Sequence, residues 1–158
     1  MEVGCGFGRI SRELVRRQGK QWVGVDLSRD QLSRAKADAS LAPRLVQGSA
    51  DAMPIPDASF DLALSVEMLM HIPPETIQKV AAEMWRVARR HIVHLDWFED
   101  YMIGEGTGWC WVHDYEALWR RLGGRVQTHR LHSMGIQCVF VVEKPAGDRA
   151  VETPPAHG

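Results

Sequence analysis

Short apolar segments alternate with helical patterns along the chain, from the first residue to about Lys144. The apolar segments are typical of buried strands, and the segments between them carry apolar residues at helical spacing. This alternation favours a parallel sheet with helices on both faces, because parallel neighbours need a crossover connection. It predicts one α/β domain over residues 1–144 that ends in an antiparallel strand pair, followed by a flexible tail over residues 145–158.

Two segments in the middle of the chain lead to specific expectations. The run Phe60–Val66 is nearly continuous in apolar residues, which is typical of a strand buried on both faces. After Pro73, apolar residues at helical spacing predict a helix that extends through Ala88, with Arg89 and Arg90 crowding its last turn. The next strand is then expected at residues 91–96.

The charge balance and the cysteines limit the classes of function. Lys and Arg number 19 while Asp and Glu number 20, so the net charge of −1 gives no basis for a nucleic-acid partner. The three cysteines are far apart and form no CxxC pair, which indicates neither a disulfide framework nor a zinc ribbon. No apolar run approaches the roughly 20 residues of a membrane helix. We therefore expect a cytoplasmic protein with neither a membrane nor a nucleic-acid partner.

The most specific motif is a glycine-rich turn directly after the first strand, with the pattern Glu2-x-Gly4-x-Gly6-x-Gly8. Glycines there let the backbone turn into a helix and let a ligand approach main-chain N–H groups. The dinucleotide fingerprint G-x-G-x-x-G would need its third glycine at the position of Arg9. The carboxylate of Glu2 disfavours a pyrophosphate and favours a ligand with an ammonium or sulfonium group.

A second carboxylate lies at the end of the next strand. Asp26 follows Gly8 by eighteen residues, where a carboxylate can accept hydrogen bonds from the hydroxyls of a ribose. Together the two motifs predict a site for a positively charged nucleoside without phosphates. The alternatives are an NAD-dependent oxidoreductase, against which Arg9 argues, and a non-catalytic module that keeps the nucleoside pocket.

Four segments, in this order, resemble class I S-adenosylmethionine-dependent methyltransferases of the small-molecule, type 11-like branch. They are residues 2–8, 24–28, 48–55 and 59–61, and the resemblance extends over about residues 1–143. It implies a Rossmann-like, doubly wound, mostly parallel seven-stranded sheet with an antiparallel last strand. It also implies S-adenosyl-L-methionine as cofactor and methyl transfer to a small-molecule acceptor.

The resemblance further implies contacts with the methionine part of the cofactor at the glycine turn and the fourth strand. Gly4, Cys5 and Gly6 would line this part of the cofactor. Glu2 would lie near its amino group, and Ser65 would border it. A plain strand end is the alternative interpretation of Ser65.

Four residues correspond to the adenosine part of the cofactor in the resembling family. Asp26 would hold the ribose hydroxyls, and Leu27 would pack on the adenine. Asp51 would accept a hydrogen bond from the adenine amino group, and the N–H of Ala52 would meet a ring nitrogen. The alternative for Asp26 and Asp51 is a role as helix or turn caps.

His71, after the fourth strand, is the candidate catalytic residue. Methyl transfer depends mainly on in-line placement of the acceptor, and a base is needed only where the acceptor must lose a proton. A structural histidine that caps the loop before Pro73 is the alternative. No metal site is predicted, because His94 and Asp96 share a strand face without a third ligand.

Aromatic residues concentrate in one stretch after the fifth strand. They are Trp97, Phe98, Tyr101, Trp109, Trp111 and Trp119. Trp109, Trp111 and His113 are the candidate acceptor-binding residues, because aromatic side chains form the apolar walls of small-ligand sites. Covering the core is the alternative role of this stretch.

The first strand is short. Only three residues precede the glycine turn, whereas strands usually have about five or six. We therefore expect this strand to be incomplete, either because the start is mis-assigned or because the chain is an N-terminally truncated fragment. A missing front would leave apolar surface uncovered, so the isolated chain is expected to be marginally stable.

Overall fold

The computed structural model describes residues 1–18, 22–99, 103–131 and 137–145. Within these ranges the strands are β1 (Glu2–Val3), β2 (Gly24–Asp26), β3 (Leu45–Gln47), β4 (Phe60–Val66), β5 (Ala88–Trp97), β6 (Arg125–Arg130) and β7 (Gln137–Glu143). The helices are α1 (Arg9–Gln18), α2 (Arg29–Ala35), α3 (Ile77–Val87) and α4 (Tyr115–Arg121). Tyr101 and residues 146–158 of the expected tail lie outside the described residues.

The seven strands of the described ranges form one mixed sheet in the order β3-β2-β1-β4-β5-β7-β6. Strands β1 to β5 pair in parallel, and β7 runs antiparallel to both of its neighbours, β5 and β6. The expected Rossmann-like α/β fold is therefore confirmed. The chain moves outward from β1 to β3 and then returns to β4 on the other side of β1. Ligands of such sheets bind at this reversal, outside the carboxyl ends of the strands.

The junction between α3 and β5 differs from the sequence prediction. The helix ends one residue before Ala88, and Arg89 and Arg90 belong to β5, so the prediction of a helical turn there was wrong. Ala88 is fully buried and pairs with Phe60, while Arg89 forms an ion pair with Asp61 at 3.2 Å. Burial and pairing within the sheet outweigh the weak helical preference of this segment.

Strand β4 is buried only in its second half. Asp61 and Leu62 are exposed, whereas Ala63 and Ser65 are fully buried. The expectation of a strand covered along its whole length was therefore wrong, because its amino end lies at the rim of the sheet beside exposed arginines. The buried half of β4 leads directly to the carboxyl edge of the sheet.

The hydrophobic core consists of two clusters. The larger cluster packs α3 and α4 against the sheet, and its largest fully buried side chains are Trp119, Tyr115 and Phe140. Leu14 and Val15 of α1 pack against the smaller cluster. This smaller cluster comprises Cys5, Trp22, Leu32 and Leu41. The helices thus form two groups that each bury their own apolar set, as a doubly wound sheet requires.

Candidate functional site

A cavity of about 190 Å³ opens at the carboxyl ends of β1, β2 and β3. Four residues predicted from the sequence, Gly4, Asp26, Leu27 and Asp51, line it together. The remaining lining residues are Val3, Val25, Gly48, Ser49, Ala50, Met68, Ile72, Thr76 and Val80. The cavity is therefore a concave site with two carboxylates and a mainly apolar wall, which is the usual form of a small-ligand site.

The glycine turn contributes Gly4 to the lining of this cavity, whereas Gly6, which was predicted to line the methionine part of the cofactor, does not line it. Gly4, Gly6 and Gly8 have φ angles of +72°, +52° and +84°, which favour glycine. A Cβ atom on Gly4 would collide with the side chain of Met68. The N–H groups of Gly4 and Cys5 both donate to the Val25 carbonyl, at 2.8 and 3.1 Å, so the turn is anchored to β2.

Asp26 fixes the glycine turn and faces the cavity at the same time. Its Oδ2 accepts a hydrogen bond from the Gly6 N–H at 2.7 Å, and its Oδ1 accepts one from the Ser28 N–H at 2.8 Å. Each carboxylate oxygen has two lone-pair positions, so one position on each remains for a ligand. Asp26 therefore caps the turn, as the alternative interpretation proposed, and both of its carboxylate oxygens can still accept a further hydrogen bond. Contact with a ribose stays a prediction.

The adenine side of the cavity is formed by the loop after β3. Asp51 accepts a hydrogen bond from the Ser49 hydroxyl, and the N–H of Ala52 donates to the Ser49 carbonyl at 3.2 Å. Leu27 is 69% exposed on the opposite wall, which leaves its side chain free to cover a planar ring. Ala52 does not line the cavity. Because its N–H already donates to Ser49, the predicted hydrogen bond to a ring nitrogen of adenine would have to share that N–H.

Glu2, Cys5 and Ser65 are buried and do not line the cavity. Glu2 is 2% exposed and accepts a hydrogen bond from Ser11, and burial raises the pKa of its carboxyl group to about 7. Burial also raises the pKa of the Cys5 thiol to about 12, which keeps it protonated. Ser65 is fully buried, and its hydroxyl has no hydrogen-bond partner among the described residues.

His71 belongs to a single 3₁₀ turn, Leu69–His71, that follows β4. Its Nδ1 lies 2.9 Å from the Trp109 carbonyl oxygen and 3.3 Å from Cys110 Sγ. These contacts direct the ring toward the loop before α4, and His71 does not line the cavity. They tie the ring to a different loop from the one before Pro73, so the catalytic role and the role as a cap of that loop both stay predictions.

The candidate acceptor residues are spread over the loop before α4. Trp109 is 73% exposed, and the N–H of Trp111 donates to the Met70 carbonyl at 2.7 Å. His113 Nε2 lies 2.9 Å from the Ile72 carbonyl oxygen, and burial lowers the pKa of its ring. His113 lines a separate hollow between α3 and α4. The loop is thus tied to the turn Leu69–His71, which adjoins the cavity.

A buried hydrogen-bond network in the core was missed by the sequence analysis. His94 and Asp96 of β5 are fully buried, with Nδ1 of the ring 2.8 Å from Asp96 Oδ2. The indole N–H of Trp119 donates to His94 Nε2 at 2.9 Å, and the Met70 N–H donates to Asp96 Oδ1 at 3.0 Å. Only the shared strand face of His94 and Asp96 was visible in the sequence.

Glu67 is a second residue that the sequence analysis missed. It directly follows β4 and has a φ of +53°. Its carboxylate lies 3.4 Å from the Arg9 guanidinium and accepts a hydrogen bond from the Gln137 amide. The only sequence signal was its position, one residue beyond a buried strand at the carboxyl edge of the sheet.

No group of three or more His, Cys, Asp or Glu side chains is arranged to hold a metal ion in the described part of the chain. No helix there is long and apolar enough to span a membrane.

Comparison with known proteins identifies the family. The profile of the methyltransferase domain family matches residues 1–91, which is more than half of the chain. The chain belongs to the methyltransferase domain family. Among curated relatives, this methyltransferase domain is 34% identical over 94 residues to sterol 24-C-methyltransferase ERG6B of Gibberella zeae, covering 56% of the chain and 24% of the relative.

A second curated relative and one solved structure are also similar to this chain. Tocopherol O-methyltransferase, chloroplastic, of Arabidopsis thaliana is 39% identical over 93 residues, covering 56% of the chain and 26% of the relative. The methyltransferase domain thus spans about a quarter of the length of the two curated relatives. The crystal structure of the PH0226 protein from Pyrococcus horikoshii superposes with a TM-score of 0.75 at 17% identity, covering 91% of this chain and 80% of that one. That likeness shows the fold.

Proposed function

We propose that this chain carries out S-adenosyl-L-methionine-dependent methyl transfer to a small-molecule acceptor. The observation that carries the proposal is the joint position of Asp26 and Asp51 on one cavity at the glycine turn, in a chain of the methyltransferase domain family. Two carboxylates disfavour a phosphate-bearing ligand and suit the hydroxyl and amino donors of a nucleoside.

The residues that line the cavity fit the adenosine part of this cofactor. The free lone-pair positions of Asp26 accept the ribose hydroxyls, Asp51 accepts the adenine amino group, and Leu27 packs on the ring. The absent side chain of Gly4 lets the Met68 side chain pack directly against the backbone at the wall of the cavity.

The chain contributes to the reaction mainly by positioning. When bound, the cofactor supplies a sulfonium methyl group, which is already a good electrophile. The turn Leu69–His71 and the loop before α4 would hold the acceptor at the carboxyl edge of β4, in line with that group. Exposed Trp109 offers an apolar wall for the acceptor. His71 would accept a proton only from an acceptor that has to lose one.

The two curated relatives support a small-molecule acceptor. By their names, one methylates a sterol at carbon and the other methylates tocopherol at oxygen. Both acceptors are small, largely apolar molecules, which agrees with aromatic residues in the loop before α4. We extend this acceptor class to the present chain as part of the proposal.

Isothermal titration calorimetry with S-adenosylhomocysteine tests the proposal. We expect the wild-type chain to bind it, and Asp26→Asn to weaken binding by about tenfold, through loss of charged hydrogen bonds. Asp61→Asn is the matched control, because Asp61 is an exposed carboxylate at the other end of β4. Absence of binding would overturn the proposal, and binding of NAD instead would favour the oxidoreductase alternative.

A methylation assay separates the enzyme from a non-catalytic nucleoside-binding module. The chain is incubated with methyl-labelled S-adenosylmethionine and a panel of phenols, amines and sterols. Transfer of label to any of them supports the proposal. Cofactor binding without transfer to any acceptor would favour the module.

A further inference from the structure

The segment that follows β4 contributes to the wall of the cavity and is held in place by the loop before α4. Ile72 lines the cavity, at the end of the turn Leu69–His71. The Trp111 N–H donates to the Met70 carbonyl at 2.7 Å, and His113 Nε2 lies 2.9 Å from the Ile72 carbonyl oxygen. Alternate residues of the loop thus hold alternate residues of this wall segment.

The two ends of this contact differ in how firmly the wall segment is held. Met70 is also bonded through its N–H, which donates to Asp96 Oδ1 at 3.0 Å. Ile72 is followed by Pro73 and Pro74, which have no N–H groups that could tie the chain to a neighbour. A side-chain donor at the Ile72 carbonyl therefore supplies a restraint that the two prolines cannot supply.

The ring of His113 is held in one position and one protonation state. It is 8% exposed, and it meets the Tyr115 ring in a T-shaped contact with 5.6 Å between the centroids. Burial lowers the pKa of the His113 ring below its ordinary value of 6.5, so the ring is neutral at pH 7. Because a carbonyl oxygen only accepts, the single proton of the neutral ring is on Nε2. The main chain of the wall segment thus uses the only N–H of the ring.

His113 is not among the residues that line the cavity. It lines the separate hollow between α3 and α4, together with Ile77 and Leu118. A ring that lines a different hollow, and whose N–H is already engaged, is poorly placed to donate to a methyl acceptor. Its connection to the cavity runs through the Ile72 carbonyl instead.

We propose that His113 is a positioning residue, which fixes the Ile72 wall of the cavity through its Nε2–H. This inference rests on the proposed function, because it takes the cavity to be the cofactor site. Without the hydrogen bond the wall segment leaves its place in a fraction of the molecules, and the apparent affinity for the cofactor falls by that fraction. His113 then acts on cofactor binding, although the sequence predicts a contact with the acceptor.

Calorimetry with S-adenosylhomocysteine at neutral pH tests the proposal. We expect His113→Leu, which has no donor, to weaken binding about fivefold. His113→Gln should keep the affinity within about twofold of the wild type, because the glutamine amide can donate to the Ile72 carbonyl from about the position of Nε2. His129→Leu is the matched control, because His129 is an exposed histidine of β6.

Hydrogen exchange provides a second measurement that needs no ligand. Backbone amides of residues 69–72 should exchange faster in His113→Leu than in the wild type, and at the wild-type rate in His113→Gln. Thermal unfolding of each variant checks folding. If His113→Leu unfolds, His113→Asn takes its place, because the shorter amide stays polar but does not reach the Ile72 carbonyl.

The outcomes separate this inference from the proposed function. Unchanged S-adenosylhomocysteine affinity or unchanged exchange in His113→Leu overturns the inference and leaves the proposed function standing. Equal weakening in His113→Leu and His113→Gln also overturns it, because the hydrogen bond would then not be the cause. Failure of the wild-type chain to bind S-adenosylhomocysteine overturns the proposed function and this inference with it.

Discussion

The carboxylates of Glu2 and Glu67 differ in their access to water. Glu2 is buried and accepts a hydrogen bond from Ser11, whereas the side chain of Glu67 is 42% exposed and faces Arg9. Because burial raises the pKa of Glu2 to about 7, this group is only partly ionised at neutral pH. A partly protonated carboxyl group attracts an ammonium weakly, so buried Glu2 is poorly suited to the predicted contact with the amino group of the cofactor.

The raised pKa of Glu2 predicts a pH-dependent stability. The folded state binds the Glu2 proton more tightly than the unfolded state, where the pKa is near 4.5. The stabilisation that the Glu2 proton gives to the folded state is complete below about pH 4.5 and is lost as the pH rises through about 7. Its full size is roughly 3 kcal/mol, because each unit of pKa difference corresponds to about 1.4 kcal/mol. Glu2→Gln should remove this dependence.

Chemical denaturation between pH 4.5 and pH 8 measures this effect. The free energy of unfolding of the wild-type chain should fall over this range more steeply than that of Glu2→Gln. Glu75→Gln, at an exposed position, serves as control and should follow the wild type. Parallel curves for the wild type and Glu2→Gln would contradict the prediction.

The glycine turn predicts a difference between two alanine substitutions. Gly4 and Gly6 both have positive φ, so alanine costs about 1 kcal/mol at either position. At Gly4 the new Cβ also meets Met68, whereas at Gly6 it meets nothing within 4 Å. We therefore expect Gly4→Ala to lower the free energy of unfolding in urea by about 1 kcal/mol more than Gly6→Ala does. Equal losses would show that Met68 moves aside freely, and Gly4→Ala combined with Met68→Ala checks that interpretation.

At the scale of elements, the buried network joins β5, α4 and the turn Leu69–His71. Trp119 donates to His94 Nε2, so the ring must carry its proton on Nδ1, from which it donates to Asp96. Asp96 in turn accepts the Met70 N–H. Each donor meets one acceptor, which fixes one tautomer of His94 and one orientation of the turn. The turn adjoins the cofactor cavity through Met68 and Ile72.

Asp96→Asn should break this order of donors and acceptors. An asparagine presents one acceptor and one N–H₂ group, so it faces either Met70 or His94 with a donor. We expect the free energy of unfolding to fall by about 3 kcal/mol, as for the loss of one partner in a buried charged network. Trp119→Phe removes the donor at His94 Nε2 and allows the other tautomer.

A double-mutant cycle in urea measures this coupling. The combined Asp96→Asn and Trp119→Phe variant should be more stable than the sum of the single losses predicts, by about 1 kcal/mol. Leu118→Ala is the control on α4, because Leu118 is buried there and no hydrogen bond of its side chain joins the network. Additive losses for Asp96 and Trp119 would contradict the tautomer assignment.

The sequence predicted those elements that depend on local pattern. The glycine turn and Asp26 lie at positions in the α/β alternation that the fold itself sets, so their places beside the cavity could be predicted from the sequence. The start of β5 could not be predicted, because Ala88 and the two arginines after it suit a helix as well as a strand. The roles of Glu67 and His94 were also hidden, since each depends on a partner, Gln137 or Trp119, placed by tertiary packing.

At the scale of the whole molecule, the two clusters divide the sheet unequally. The larger cluster has members in β1, β2, β4, β5, β7, α3 and α4, while the smaller one has four buried members beside α1 and α2. The cofactor site lies where the two clusters meet, because Cys5 of the glycine turn belongs to the smaller cluster, whereas Val3 of β1 and Val25 of β2 belong to the larger one. A ligand in this site would link the two sides through contacts that neither cluster provides.

Hydrogen exchange followed by mass spectrometry tests this division. Without ligand, backbone amides of β4 and β5 should exchange slowest, and those of α1 and α2 should exchange faster, because less buried apolar surface opposes their local opening. Saturating S-adenosylhomocysteine should slow exchange mainly in the glycine turn, β2 and α1, since binding stabilises the closed state of the elements beside the cavity. 5′-Methylthioadenosine lacks the amino-acid end of the cofactor, and as the control ligand it should still protect β2. Uniform protection of all elements by both ligands would mean that the two clusters open together, and the link across the site would then add nothing to their coupling.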